Sequence, residues 1–235
     1  MINRFLILVD FNGTMPKQNE TYDQKKIKTQ IENKAILLKR HAQIVDAAGP
    51  LFSKKGYQGT SVRDIAAALK MNIGSLYKYV STKEDILFLF YKRIHQQWAE
   101  VLRKTTETED KDPVEQIEDL IRTGLERCLV LNDEILTIFA DSRHLAPDSL
   151  HIVLSTETGF IKSIERLIIR GIESGHFKAN DTFLTANIIQ YLLMIYPLRG
   201  WSFKDRYTFD QIVKIVTTFI FDALGVRTKN EKGIT

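Results

Sequence analysis

Between residues 56 and 83 of this 235-residue chain, side chains able to grip a polyanion are interleaved with an apolar frame. Val62, Ile65, Leu69, Ile73, Leu76 and Val80 recur at helical spacing and form the inward set of two short helices joined by a tight connection. Ala66 is small where those two helices must cross closely. Ser75, Lys78 and Tyr79 are left pointing outward on the second helix. A short helix held this way, with a hydroxyl, an ammonium and a phenol on its free side, can enter the major groove of duplex DNA, which admits one α-helix. Other chemistries find no comparable cluster. His41, His95, His144, His151 and His176 make no zinc-ligand spacing with Cys128 or with a carboxylate pair. No Ser-His-Asp or Cys-His arrangement, P-loop or dinucleotide fingerprint stands in the chain, so the sequence proposes no enzyme, no cofactor and no metal.

The elements around that stretch read as helices. Hydrophobic residues make up 44 % of the chain and charged residues 26 %, an ordinary globular balance, and only 12 Gly and 5 Pro interrupt long apolar-periodic segments. The expected fold is therefore all-α, without a credible strand pair. Residues 34–104 carry 13 Lys+Arg against 5 Asp+Glu, a net +8, whereas residues 105–235 carry 15 against 20, a net −5. Only the first segment suits a polyanion. The single cysteine, Cys128, reads as a small buried apolar side chain and requires no oxidising compartment. No apolar run approaches the ~18 residues that span a bilayer, and the Phe5–Val9 stretch is too short for a signal segment, so the expectation is a cytoplasmic protein without membrane contact.

Residues 1–33 read as a flexible extension in which Met15 offers an alternative start, followed by a DNA-binding domain over 34–97, a helical domain over 98–228 and a tail over 229–235. The first helix is expected over 34–54, with Leu37, His41, Ile44, Ala48 and Leu51 on one face and Gly56 as its stop. Thr60 or Ser61 caps a second helix reaching Leu69, a third covers 73–80, and a fourth starts at Ser81-Thr82 and reaches Lys104. Residues 105–112 read as a linker, and Asp112-Pro113 starts the next helix. Helices follow over 113–131, 133–143, 147–174, 180–197 and 207–225, with short connections.

The stretch from about Leu37 to Ile94 resembles the DNA-binding domain of the TetR/AcrR family of transcriptional regulators. The matching pieces are Leu51-Phe52-Ser53-Lys54-Lys55-Gly56-Tyr57, then Thr60-Ser61-Val62-Arg63-Asp64-Ile65-Ala66, then Gly74-Ser75-Leu76-Tyr77, then Ser81-Thr82-Lys83-Glu84-Asp85-Ile86-Leu87. Each is weak alone; the four stand in order within a stretch that covers about a quarter of the chain. The resemblance implies a three-helix helix-turn-helix domain at the N-terminus and a helical ligand-binding and dimerisation domain at the C-terminus. It also implies that Thr60 or Ser61, Tyr77, Tyr79 and Lys83 meet DNA phosphates, while Asn72, Ile73, Ser75 and Lys78 face base edges. The other readings stay open: Tyr77 packing against the first helix, Lys83 as a solvated lysine, and Arg63 as a surface charge rather than a reader. Three positions depart from the family pattern. Lys70 stands where glycine is usual in the turn, Tyr79 replaces histidine and Val80 replaces phenylalanine.

In the C-terminal half, the segment from Phe183 to Leu198 and the last helix are apolar nearly all round, so they should be buried on both faces. The resemblance implies that these last two long helices build a homodimer, setting two recognition helices on a palindromic operator. Residues 141–148, the end of the helix at 171–177 and Trp201 are similar to a subset of the family with acyl-CoA effectors, which would put Arg143, His144 and Trp201 at a site for a hydrophobic or acyl-CoA-like effector. A surface arginine and a packed histidine are the alternative. The implied function is an effector-released repressor, whose ligand tilts the helix near residues 82–104; the rival is an effector-independent architectural or cell-division DNA-binding protein.

Overall fold

The computed structural model describes residue 22, residues 25–106 and residues 111–226. The alternative start at Met15, most of the N-terminal extension, part of the linker and the tail over 229–235 lie outside the described residues. Ten helices follow in order: α1 (Lys34–Gly59), α2 (Val62–Ala68), α3 (Ile73–Leu76), α4 (Lys83–Thr106), α5 (Pro113–Val130), α6 (Asn132–Asp141), α7 (Pro147–Glu173), α8 (Thr182–Leu193), α9 (Ile195–Arg199) and α10 (Phe209–Ala223), with 3-10 turns at Ser142–His144 and Gly200–Ser202. The fold is all-α, and the described residues contain no strand. No helix among them is long and apolar enough to cross a membrane.

The chain divides into two compact units, one running to Gln96 and taking in Asp133–Glu157, the other formed by Gln97–Asn132 and the chain from Thr158 onward. The first unit thus includes α6 and the start of α7, beyond the 34–97 segment read from sequence. In it, α1 buries His41, Ile44, Val45, Ala48 and Phe52 on one face. Gly56, at φ +71°, ends the helical backbone where the sequence placed the stop, although hydrogen bonding continues to Gly59. Ile65, Ala66, Leu76 and Val80 are buried beneath it. The fourth helix supplies most of the remaining core through Ile86, Leu87, Phe88, Phe90, Tyr91 and Ile94.

Residues 25–33, expected to belong to a flexible extension, are instead tied down. Lys25 Nζ reaches Glu84 Oε2 at 2.8 Å and lies 4.5 Å from the centre of the Phe88 ring. Tyr22 is buried against Phe88, its Oη 2.7 Å from His95 Nδ1, and His95 Nε2 is 2.7 Å from Glu157 Oε1. Burial pushes the Tyr22 phenol well above its ordinary range.

In the second unit, α5 is the hub, burying Ile117, Leu120, Ile121, Leu125 and Cys128. Gly124 lets Leu193 and Trp98 pack close, since a Cβ there would sit 3.1 Å from Leu193 Cδ1. Arg170 donates to Gln116 Oε1 at 2.6 Å and to the Thr106 carbonyl at 2.9 Å. The single helix expected over 180–197 is two. Pro197 has no N–H to give the Leu193 carbonyl, and the chain leaves helical geometry at Met194 before α9. The expectation of burial on both faces also needs correction for the single chain. Leu184, Ile188 and Tyr191 of α8, and Ile215 and Phe219 of α10, are exposed apolar side chains.

Candidate nucleic-acid interface

The three elements that frame the outward side chains are set by local hydrogen bonds. Ser61 and Asp64 form a capping box at the start of α2: Ser61 Oγ accepts from Asp64 N at 3.1 Å, and Asp64 Oδ2 accepts from Ser61 N at 2.8 Å. The Ser61 N–H and the Ser61 hydroxyl, which donates to the same Oδ2 at 2.8 Å, hold the Asp64 carboxyl below its ordinary range. Thr60 is buried, with its hydroxyl donating to the carbonyls of Gly56 and Leu51. The Thr60 hydroxyl is therefore engaged inside the fold, whereas Ser61, which caps α2, stays exposed at the start of that helix.

The turn between α2 and α3 is built on Lys70, whose φ of +53° is the left-handed conformation that glycine usually supplies. Its N–H bonds the Ala67 carbonyl and the Met71 N–H the Ala66 carbonyl. Asn72 then caps α3 by accepting from Ser75 N at 2.7 Å. With Leu76 fully buried as the anchor, Asn72, Ile73, Tyr77 and Lys78 are exposed and Ser75 is half-buried. Ile73, read in sequence both as inward and as a candidate contact, is 37 % exposed and belongs to the outward set. Tyr77 is 42 % exposed, so it is not packed away beneath α1. Tyr79 is half-buried under the Arg40 guanidinium, 5.4 Å from its ring centre, and its carbonyl accepts from His41 Nε2 at 2.9 Å. Helix α3 is shorter than the expected 73–80, and the outward residues continue beyond it into the turn before α4.

Lys83, in the first turn of α4, lies with its ammonium 4.1 Å from the centre of the Tyr57 ring. Burial lowers its pKa and the Asp141 carboxylate opposes that shift. Tyr57 is the junction of this region: its N–H donates to Asp141 Oδ2 at 2.9 Å, and the His144 ring stacks on it at 5.2 Å between centres. Burial, followed by the nearby Glu84 and Asp141 carboxylates, raises the phenol. His144 Nε2 is 3.9 Å from Asp141 Oδ1 and receives the Arg143 Nε–H at 3.4 Å. Arg143 is exposed at the rim of a cleft of about 550 Å³, open to solvent on one side and lined by Phe52, Ser53 and Gly56 of α1 and by Leu136, Thr137, Phe139 and Ala140 of α6. The lining does not include Trp201, which is 73 % exposed, with the Arg199 guanidinium 5.3 Å from its ring centre. Sequence reasoning placed Tyr57 and Asp141 inside recognised segments without assigning either a role. The available signal was an aromatic residue directly after a helix-ending glycine, and that signal does not name the partner.

The model for bacterial regulatory proteins of the tetR family matches residues 44–89, and the model for the tetracyclin repressor-like C-terminal domain matches residues 110–198. The chain is 25 % identical over 191 residues to the HTH-type transcriptional regulator HbdR of Aromatoleum sp. (strain CIB), covering 80 % of this chain and 82 % of that protein. It is 25 % identical over 170 residues to the fatty acid metabolism regulator protein of Bacillus subtilis, covering 71 % and 86 %. Among solved structures, a tetR-family regulatory protein from Rhodococcus RHA1 superposes with a TM-score of 0.73 at 22 % identity, covering 81 % of this chain and 99 % of that one. AibR, solved with isovaleryl coenzyme A and operator DNA, superposes at 0.67 with 21 % identity, covering 77 % and 98 %.

Proposed function

Since the chain belongs to the TetR family of transcriptional regulators, we propose that it is a cytoplasmic homodimeric repressor that grips a palindromic operator and releases it on binding an acyl-CoA-like effector. The observation that carries this reading is the exposed row on and after α3. Asn72, Ile73, Ser75 and Lys78 face base edges, while Tyr77, Tyr79 and Lys83 hold phosphates on either side. Ser61 serves by capping the start of α2, and Thr60 by tying the chain before it back to α1. Dimerisation uses the apolar faces that α8 and α10 leave open, because two-fold symmetry lets one patch cover its own copy.

The effector reading is supported by the cleft between α1 and α6, whose volume falls within the ordinary range of ligand sites. Phe52, Leu136 and Phe139 offer an acyl chain an apolar wall, and Arg143 offers a phosphate a guanidinium. The cleft and the DNA-facing side share the Tyr57 junction, so a ligand that moves Arg143 and His144 changes the seat of Lys83. Relatives lend this weight: one is a fatty acid metabolism regulator, and AibR carries isovaleryl coenzyme A. Trp201 belongs to the proposal only as an exposed aromatic beside Arg199. A second reading, a DNA-binding protein without an effector, is favoured by the cleft being open rather than enclosed.

The test is operator selection from random duplex DNA by the wild type and by a Tyr77→Ala, Lys78→Ala, Lys83→Ala variant. A palindromic consensus kept by the wild type and lost by the folded variant is expected. Absence of a consensus, or equal binding by both, removes the proposal. Titrating the selected complex with acyl-CoAs of graded chain length at fixed salt separates the two readings, since only an effector with different affinity for the two states shifts operator binding.

A further inference from the structure

We infer that the segment from Lys25 to Asn33, which precedes α1, is part of the DNA-binding surface and that Lys26 and Lys28 neutralise phosphates beside those met by α3 and α4. The inference rests on the DNA-binding reading above and adds to it a segment outside the matched helix-turn-helix model.

Three hydrogen bonds fix where this segment lies. Thr29 Oγ1 donates to the Lys78 carbonyl at 2.8 Å, Gln30 N donates to the same carbonyl at 2.9 Å, and Ser81 Oγ donates to the Lys28 carbonyl at 3.0 Å. Lys78 ends the outward row of α3 and Ser81 precedes Lys83, so the backbone of residues 28–30 sits between the two groups of proposed contacts. Two of those bonds satisfy the Lys78 carbonyl, in the turn that follows α3, and the third satisfies the Lys28 carbonyl of the segment itself.

Burial along the segment alternates. Lys25, Ile27, Thr29 and Ile31 are half-buried, and Lys26, Lys28, Gln30 and Glu32 are exposed. A period of two is that of an extended ribbon with one face on the protein and one on solvent. The inward lysine has a full set of partners: Glu84, Asp85 at 3.8 Å, Ser149 and the Phe88 ring. The outward lysines have none; among the described residues neither Lys26 nor Lys28 meets a carboxylate. Two ammonium groups that meet no carboxylate among the described residues therefore stand on the exposed face of a segment held against the turn that follows α3. At about 3.3 Å per residue they stand roughly 6.6 Å apart on one face, and Glu32 is the acid on that face. Paired cations on an ordered ribbon fit a repeating polyanion, and the adjoining surface names duplex DNA as that polyanion.

The test is the salt dependence of binding to a random-sequence duplex and to the selected operator, for wild type, Lys26→Ala/Lys28→Ala and Lys83→Ala. Each phosphate contact contributes about 0.9 to the slope of log K against log salt. Each protomer of the homodimer loses two contacts, so the double variant is expected to lower the slope by about 3.6 (about 1.8 per protomer) and to weaken both DNAs by a similar factor, on the order of tenfold or more at low salt. Both side chains are exposed, so its melting temperature should match that of the wild type. An unchanged slope in the double variant, with a reduced slope in Lys83→Ala, overturns this inference and leaves the DNA-binding reading standing. Failure of the wild type to bind either duplex overturns both.

Discussion

Three helices in this protein end on the same motif, and one of them does so with the wrong residue. After α2, the N–H groups of Lys70 and Met71 reach back to Ala67 and Ala66; after α7, Gly175 and His176 reach Ile172 and Gly171; after α10, Gly225 and Val226 reach Asp222 and Phe221. All three pivots have positive φ: +53° at Lys70, +78° at Gly175 and +64° at Gly225. A left-handed residue with a Cβ costs roughly 1–2 kcal/mol, and glycine's extra freedom in the unfolded chain returns about 0.4–1 kcal/mol of that difference. Lys70→Gly should therefore stabilise the protein by about 0.5–1 kcal/mol, or ~1–4 °C in melting temperature for a chain of this size. The reverse exchange, Gly175→Lys, should cost a similar amount with no steric part, because a Cβ at Gly175 would meet nothing within 4 Å. Urea unfolding of both variants measures this, with Lys70→Ala as the control that removes the long side chain and keeps the strain. If Lys70→Gly is less stable than wild type, or Gly175→Lys is as stable, the strain reasoning is wrong.

Other outcomes follow from single positions. Burial lowers the pKa of His41 below the ordinary 6.5, so the folded protein keeps it neutral while the unfolded chain takes up a proton. Its contribution is fully present above pH 6.5 and lost as the pH falls; denaturant melts from pH 7.5 to 5 should show this decline, and His41→Gln should flatten it. Gly171→Ala drives a methyl into the ring of buried Phe177 and should cost about 2–4 kcal/mol. Gly159→Ala in the same helix meets open space and should be neutral or stabilising; equal effects at the two sites would sink the packing account. Ile188→Glu together with Phe219→Glu should leave a folded monomer in sedimentation with operator binding largely lost, and a persistent dimer would place the interface elsewhere.

Periodicity and punctuation carried most of the fold. The Asp112-Pro113 start, the Gly56 and Gly175 stops and the apolar stripe of α4 are local, and local signals survive folding unchanged. At Lys70 the departure from the family's glycine pointed to a turn built differently, whereas Lys70 itself takes the positive φ that glycine usually supplies. What stayed hidden was long-range. Nothing in the polar run before Lys34 says that Thr29 and Gln30 will find one carbonyl at Lys78, nor that Lys25 will be drawn inward by Glu84 and Asp85. The engagement of Thr60 is similar: a hydroxyl beside a helix start reads as a cap, yet it faces back toward α1 while Ser61 does the capping. Composition marked α8 as apolar all round; only packing on α5 reveals which side is left open.

That open side has a consequence for gene dosage. If Leu184, Ile188, Tyr191, Ile215 and Phe219 are covered only by a second copy, the DNA-binding species forms in proportion to the square of free protomer whenever protomers predominate. Halving the number of molecules in a cell then lowers operator occupancy about fourfold in that regime. A promoter bound by the paired species would sense abundance more steeply than any single recognition helix could impose.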